Sequence, residues 1–323
     1  MSRGLGDVYK RQDALNKDSK AVKVTADQVK KSMVYLSSDA LEGRATGSRG
    51  IEMAAAYIED YLKTHGIVPY FDSYRDHFEI KMKKRADAEI DPPVIEGFNV
   101  VGYIEGQDAN LKDEFIIIGG HYDHIGKGKI VNGDSIANGA NDDASGTVVA
   151  MELAKHFARS GTNKRSILVT LFSAEELGLK GSSHLAKRLK EKGLDIYTMI
   201  NFEMVGVPRS SERILSYMSG YERSNFAVTL NRYAGSEIVG FFPQAKQFQL
   251  FMRSDNFPFY KEFNIPAHAI STFDFSNYDY YHHVDDEWDQ MDFVHMAHFI
   301  NALIPAFEGM INANTKEVVL KNE

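Results

Sequence analysis

From Asn99 onward the chain alternates short runs rich in β-branched residues with longer amphipathic stretches, and few folds accept that pattern. The runs NVVGYI (99–104), EFIIIGG (114–120), RSILVTLF (165–172), IYTMINFE (196–203) and PAHAIST (266–272) have the length and composition of strands. Residues 145–159, 182–192, 222–233 and 291–311 read as helices. Strands this uniformly apolar need cover on both faces, which predicts an α/β fold: a three-layer α/β/α sandwich around a mixed, largely parallel sheet. Ahead of this region, residues 25–36 predict a helix with Thr25 as N-cap, and a second helix over 51–65 ends at Gly66. The lysine-rich 81–85 and the Asp91-Pro92-Pro93 punctuation read as a solvated hairpin or loop. With no internal repeat and no break in composition after residue 99, one domain over 13–323 is expected.

Residues 1–12 stand apart, because DVYKRQ is the translation of a common sequencing-library transposon end. This stretch is expected to be foreign to the protein, and the natural N-terminus with any export signal to be missing. Elsewhere composition removes whole classes of function. The formal charge of -8 argues against a surface that tracks nucleic-acid phosphates. No apolar run reaches the roughly 20 residues that span a bilayer, so no membrane partner is expected. Cysteine is absent, so any metal must be held by His, Asp or Glu.

Ligands in such a sheet usually bind beyond the carboxyl ends of the strands. Those positions are chemically loaded here. EFIIIGG runs into His121-Tyr122-Asp123-His124, LVTLFSA into Glu175-Glu176 and TMINF into Glu203; GANDDASG (139–146) and Tyr281-His282 supply further acids and histidines. Each has an ordinary reading alone: His121 as a hydrogen-bonded strand-end histidine, Asp142-Asp143 as a turn that caps the next helix, Glu175-Glu176 as first-turn acids, His282-His283 as a solvated pair. Their convergence on one sheet edge is harder to explain that way. Burying so many carboxylates together is costly unless cations neutralise them. Two divalent ions about 3.5–4 Å apart, sharing one carboxylate, resolve the conflict and supply hydrolytic chemistry. Competing schemes lack their signatures: there is no H-E-x-x-H, no G-x-S-x-G and no Walker loop, and Gly126 and Gly128 are followed by Val131 where a dinucleotide loop needs a third glycine. His295 and His298 sit in an otherwise apolar final helix and read as packing or surface residues.

Taken together, GGHYDHIG, GANDDASG, FSAEELGLKGS, NFEMVG and YHHVDDEWDQMD resemble the co-catalytic zinc exopeptidases of the bacterial leucine aminopeptidase type, in order over roughly residues 35–305. Relatives of that family include glutamate carboxypeptidase and animal glutaminyl cyclase. The resemblance implies the zinc exopeptidase fold and two zinc ions bridged by Asp142, with Glu176 and His282 completing one and His121 and Glu203 the other. It implies that Glu175 is the general base acting on a metal-bridging water, that Asp123 orients the His121 ring, and that the Asp142–Asp143 peptide is cis. His282 is preferred to His283 because the family's ligand lies four residues before an Asp, here Asp286. Tyr281 occupies a position that in some relatives offers a phenol to the developing oxyanion, although it also reads as a packed aromatic. Two features depart from the pattern: Glu203 stands where many aminopeptidases have Asp, and the inserted protease-associated domain of larger relatives is missing between Arg44 and His121. The expectation is an aminopeptidase acting on peptides with a free N-terminus, in the periplasm or outside the cell. Glutaminyl cyclase and zinc carboxypeptidase are the rival activities, and the last would need Arg44 or Arg253 in its pocket. A binding protein without activity is the non-enzymatic alternative, disfavoured because no ligand is lost.

Overall fold

The computed structural model describes residues 23–82, 93–210 and 214–321. Residues 1–12 and the 83–92 part of the expected surface excursion lie outside them. In chain order the helices are α1 (Ala26–Leu36), α2 (Arg49–Thr64), α3 (Ser145–Ser160), α4 (Lys180–Glu191), α5 (Phe226–Ala234), α6 (Pro243–Gln247), α7 (Asn256–Phe263) and α8 (Phe293–Asn312). The strands are β1 (Val68–Pro69), β2 (Arg75–Lys81), β3 (Val94–Ile104), β4 (Glu114–His121), β5 (Gly126–Val131), β6 (Asp134–Ala137), β7 (Ser166–Phe172), β8 (Asp195–Phe202), β9 (Ser216–Met218), β10 (Val239–Gly240) and β11 (Ala267–Ser271).

Nine strands form one sheet in the order β1-β3-β7-β4-β8-β11-β9-β10, with β2 also paired to β3. Its centre, β7-β4-β8-β11, is parallel, whereas β3 joins β7 and β9 joins β11 antiparallel. The sheet is therefore mixed with a parallel middle, as the buried strand composition predicts. Alternate residues of one strand serve different cores. On β4, Ile116 and Ile118 pack into a large cluster with Val149 of α3 and Phe299 of α8, while Ile117 faces Leu185 of α4 and Phe259 of α7. Helices thus cover both faces, giving the three layers.

Most boundaries fall within two residues of the sequence expectation. Thr25 caps α1 through a reciprocal capping box with Gln28. Two starts differ by more: β3 begins at Val94, five residues ahead of the expected Asn99, and the helix expected from residue 222 begins at Phe226 after a short 3₁₀ turn, Tyr221–Arg223. Ser224 is extended and bridges Leu320, so the C-terminal segment interrupts the helix there. His295 is buried and stacks on Phe299, and His298 is exposed, matching the packing and surface roles expected of them. No described helix is long and apolar enough to cross a membrane.

His268 on β11 is fully buried, with Nδ1 2.9 Å from the Ser219 carbonyl and Nε2 2.7 Å from the Ser224 hydroxyl. The neutral ring satisfies both partners, donating from Nδ1 and accepting at Nε2. Burial lowers its pKa to about 4. A depressed folded-state value means that the ring's contribution to stability is complete above its unfolded value of about 6.5 and is lost as the pH falls toward about 4. We expect the stability advantage of the native protein over His268→Gln, measured by urea unfolding at pH 7.5 and 4.5, to shrink by roughly 2–3 kcal/mol at the lower pH. A difference that does not change with pH would contradict this.

Candidate metal centre

Parallel pairing of β7, β4, β8 and β11 brings their carboxyl ends to one edge of the sheet, and the predicted residues arrive there on separate connections. His121 closes β4, with Nε2 3.2 Å from Asp142 Oδ1 and 3.3 Å from Glu203 Oε1. His282 comes from the loop after β11, with Nε2 3.3 Å from Asp142 Oδ2 and 3.1 Å from Glu176 Oε2. Its neighbour His283 turns to Asp285 instead, at 3.5 Å. All five residues expected as ligands therefore converge, and Asp142 touches both halves. One ligand atom each from His121, Asp142 and Glu203 fits within a 4.8 Å group, as does one each from His124, Asp142 and Glu176.

The backbone around Asp142 is held from several sides. The Asp142–Asp143 peptide is cis, as the resemblance implies. Asp286, buried, accepts the Asn141 N–H at 2.7 Å and the Asp142 N–H at 3.1 Å, and the Tyr278 hydroxyl donates to it at 2.5 Å. Asp143 points away from the ligands and accepts N–H groups of His121, Gly146 and Met204 at 3.2, 3.1 and 2.9 Å. A side chain at Gly146 would sit 2.3 Å from the Phe202 carbonyl and 2.5 Å from the Asp143 carboxylate, so the last glycine of GANDDASG is sterically required. Arg44, also buried, donates to the carbonyls of Leu36, Tyr122, Asn138 and Gly139. It braces this edge from behind and has no access to a substrate.

Asp123 performs two tasks. Its Oδ1 accepts the Glu175 N–H at 3.2 Å and lies 3.5 Å from His121 Nδ1, which is also 3.1 Å from the Asp123 carbonyl. The ring orientation and the position of the following acid are thus coupled through one residue. Glu203 is anchored by the Ser254 hydroxyl at 2.8 Å. Tyr281, half exposed, stacks on the His282 ring at 4.0 Å. A cavity of about 190 Å³ opens beside these groups, lined by Glu175, Glu203 and Tyr281 together with the apolar Met204, Leu250 and Phe273.

Burial opposes charge on Asp142, but hydrogen bonds with His121 and His282 outweigh it and hold the carboxyl well below the ordinary carboxylate range. The same contacts, with Asp142 and then Glu176, raise the His282 ring to about 10. Burial raises Glu175 well above its usual range, and Glu203, Asp255 and Glu176 add to the shift against the pull of His121. The raised proton affinities of His121 and His282 answer the same negative charge that a cation would neutralise. His124 Nε2 is buried without a hydrogen-bond partner, while the buried Asp142 Oδ2 and Glu176 Oε1 face imidazole nitrogens, 3.3 Å from His282 and 3.0 Å from His124. Buried polar atoms rarely stay unbonded, and carboxylate oxygens with imidazole nitrogens are the donors that zinc accepts when thiolates are missing. The residues present fit a divalent cation.

The model of Peptidase family M28 matches residues 99–306, well over half of the chain. The chain belongs to peptidase family M28. Among curated relatives of this M28 chain, a "Probable zinc metalloprotease" of Pyrenophora teres f. teres is 39% identical over 114 residues, 35% of this chain and 23% of that protein. The "Aminopeptidase YwaD" of Bacillus subtilis is 32% identical over 146 residues, 44% and 29% of the respective chains. The match thus spans less than a third of either relative. Among solved structures, the zinc aminopeptidase BSAP from Bacillus subtilis superposes with a TM-score of 0.66 at 18% identity, over 87% of this chain and 94% of its own. A glutaminyl cyclase of Fimbriiglobus ruber gives 0.68 at 19% identity, over 92% and 98%. Both likenesses establish the shared fold.

Sequence reasoning left His124 without a role, yet its Nδ1 lies 3.0 Å from Glu176 Oε1. The available signal was its position three residues after His121, past the same strand end. Ser254 also reaches this region, from the segment before α7, and nothing in its local sequence marks it as a partner of Glu203; Arg253, named with Arg44 for a carboxypeptidase pocket, lines the cavity, and Arg44 does not. Since Asp286 fixes the backbone that carries Asp142, Asp286→Asn is expected to lower zinc affinity about 10- to 100-fold. Competition with a fluorescent chelator measures this, and wild-type affinity in the variant would show that the clamp is dispensable.

Proposed function

We propose that this M28 chain is a two-zinc aminopeptidase that removes N-terminal residues from peptides. The observation that carries the reading is the sharing of Asp142 between His121 with Glu203 on one side and His282 with Glu176 on the other. Those five side chains would hold the two ions, with His124 close behind Glu176. Bound zinc supplies Lewis acidity toward a substrate carbonyl and makes a neighbouring water more acidic.

The rest of the work falls to the chain's own residues. Glu175 lines the cavity and takes a proton from the attacking water, then delivers it to the nitrogen of the departing amine. Because its backbone N–H is held by Asp123, the carboxylate is placed from the residue that also orients His121. Glu203 and the adjoining acids attract the positively charged α-amine of the substrate, which favours a free N-terminus. Its extra methylene relative to Asp is accommodated by the Ser254 hydroxyl, which holds Oε2 while Oε1 faces His121. The Tyr281 phenol, on the cavity wall, is available to donate to the developing oxyanion.

A second reading is supported by the likeness to the Fimbriiglobus ruber glutaminyl cyclase and by the wholly buried Asp255 in RSDNFPF, which has no hydrogen bond on either oxygen. Pyroglutamate formation assayed beside aminoacyl-arylamide hydrolysis separates the two activities. Against a panel of aminoacyl-arylamides, Glu175→Gln is expected to retain zinc by elemental analysis while kcat falls about 10²- to 10⁴-fold. Near-normal turnover in that variant would remove Glu175 from the role of base.

A further inference from the structure

The cavity beside the cage is acidic at one end, and yet a cation lines it too. Arg253 borders the same space as Glu175 and Glu203, and among the described residues its guanidinium has neither an ion-pair nor a hydrogen-bond partner. Arg253 is exposed, whereas Arg75, Arg165, Arg188 and Arg232 each pair with a carboxylate. The main chain beneath it is well anchored. Arg253 N–H donates to the Leu250 carbonyl at 3.0 Å, and the hydroxyl of the next residue, Ser254, donates to Glu203 Oε2 at 2.8 Å and accepts from Asn201 Nδ2 at 2.8 Å. The arginine is therefore carried one residue away from a side chain of the cage.

An unpaired guanidinium over a partly apolar cavity is a receptor for a planar anion, since its fixed fork of N–H groups matches both oxygens of a carboxylate. We infer that Arg253 receives a carboxylate of the substrate, so that the preferred substrates carry one within about a residue's length of the scissile bond. Two sources offer the same chemistry: the α-carboxylate of a dipeptide, and the side chain of an N-terminal Asp or Glu. The inference rests on the aminopeptidase reading for the position of the scissile bond.

The experiment compares kcat/KM within two matched pairs on the zinc-loaded protein: Leu-Leu against Leu-Leu-amide, and Glu-arylamide against Gln-arylamide. At least one acidic member is expected to be favoured roughly tenfold to a hundredfold over its neutral partner, the range of a charge-assisted hydrogen bond. In Arg253→Met that ratio should fall close to one, and in Arg253→Lys it should take an intermediate value because the bidentate fork is lost. No preference in the native protein, or a ratio that both substitutions leave intact, overturns the assignment. Calorimetric binding of the same pairs to Glu175→Gln protein reads the contact without turnover. A native protein that hydrolyses none of these substrates would refute the aminopeptidase reading, whereas equal binding of acidic and neutral members would refute the role of Arg253.

Discussion

The carboxylate of Asp142 lies 3.2 Å from one imidazole and 3.3 Å from another, and those rings come from positions 161 residues apart in the chain, His121 and His282. Such a contact persists only if the backbone on which Asp142 rides cannot relax. Asp286 holds it through two N–H groups, Asp143 ties the next peptide to β4 and to the turn after β8, and Gly146 lets α3 close down on Phe202. These attachments reach the loop after β11, the end of β4 and the end of β8. The parallel order of the strands is what brings the connections together, so the fold's main service to the site is to place several loops on one edge.

Electrostatics gives that arrangement its direction. Several carboxylates in one partly buried space repel one another, which together with burial raises Glu175, while contacts with the imidazoles hold Asp142 down and His282 up. Protonated imidazoles relieve part of the repulsion. A divalent cation would relieve more of it, because the carboxylate oxygens and imidazole nitrogens gathered here are atoms it could bind directly. The fold alone does not settle which reaction follows, since it is shared by a zinc aminopeptidase and a glutaminyl cyclase.

Much of this was legible in the sequence, and the reasons are physical. Strands buried on both faces, such as Ser166–Phe172, must be continuously apolar, so they stand out against amphipathic helices. Residues at their carboxyl ends had few places to go other than the ligand edge. The β2 strand escaped notice because it is peripheral, pairing only with β3, and its buried Phe78 and Ile80 alternate with charged neighbours. The β5–β6 hairpin is short and mostly exposed, so burial leaves little pattern in it. Ser254 was obscure for another reason: its importance comes from Glu203 lying opposite it in space, and no local spacing encodes that.

The claim on which the account depends is that Asp142 joins two metal positions. The most direct measurement is the zinc stoichiometry of the purified chain, by calorimetric titration of metal-free protein, with Asp142→Ala compared with the native sequence. Two zinc ions per chain in the native protein, and loss of tight binding at both positions in the variant, are the predicted results. A native stoichiometry of one, or an Asp142→Ala protein that still binds two ions with unaltered affinity, would contradict it.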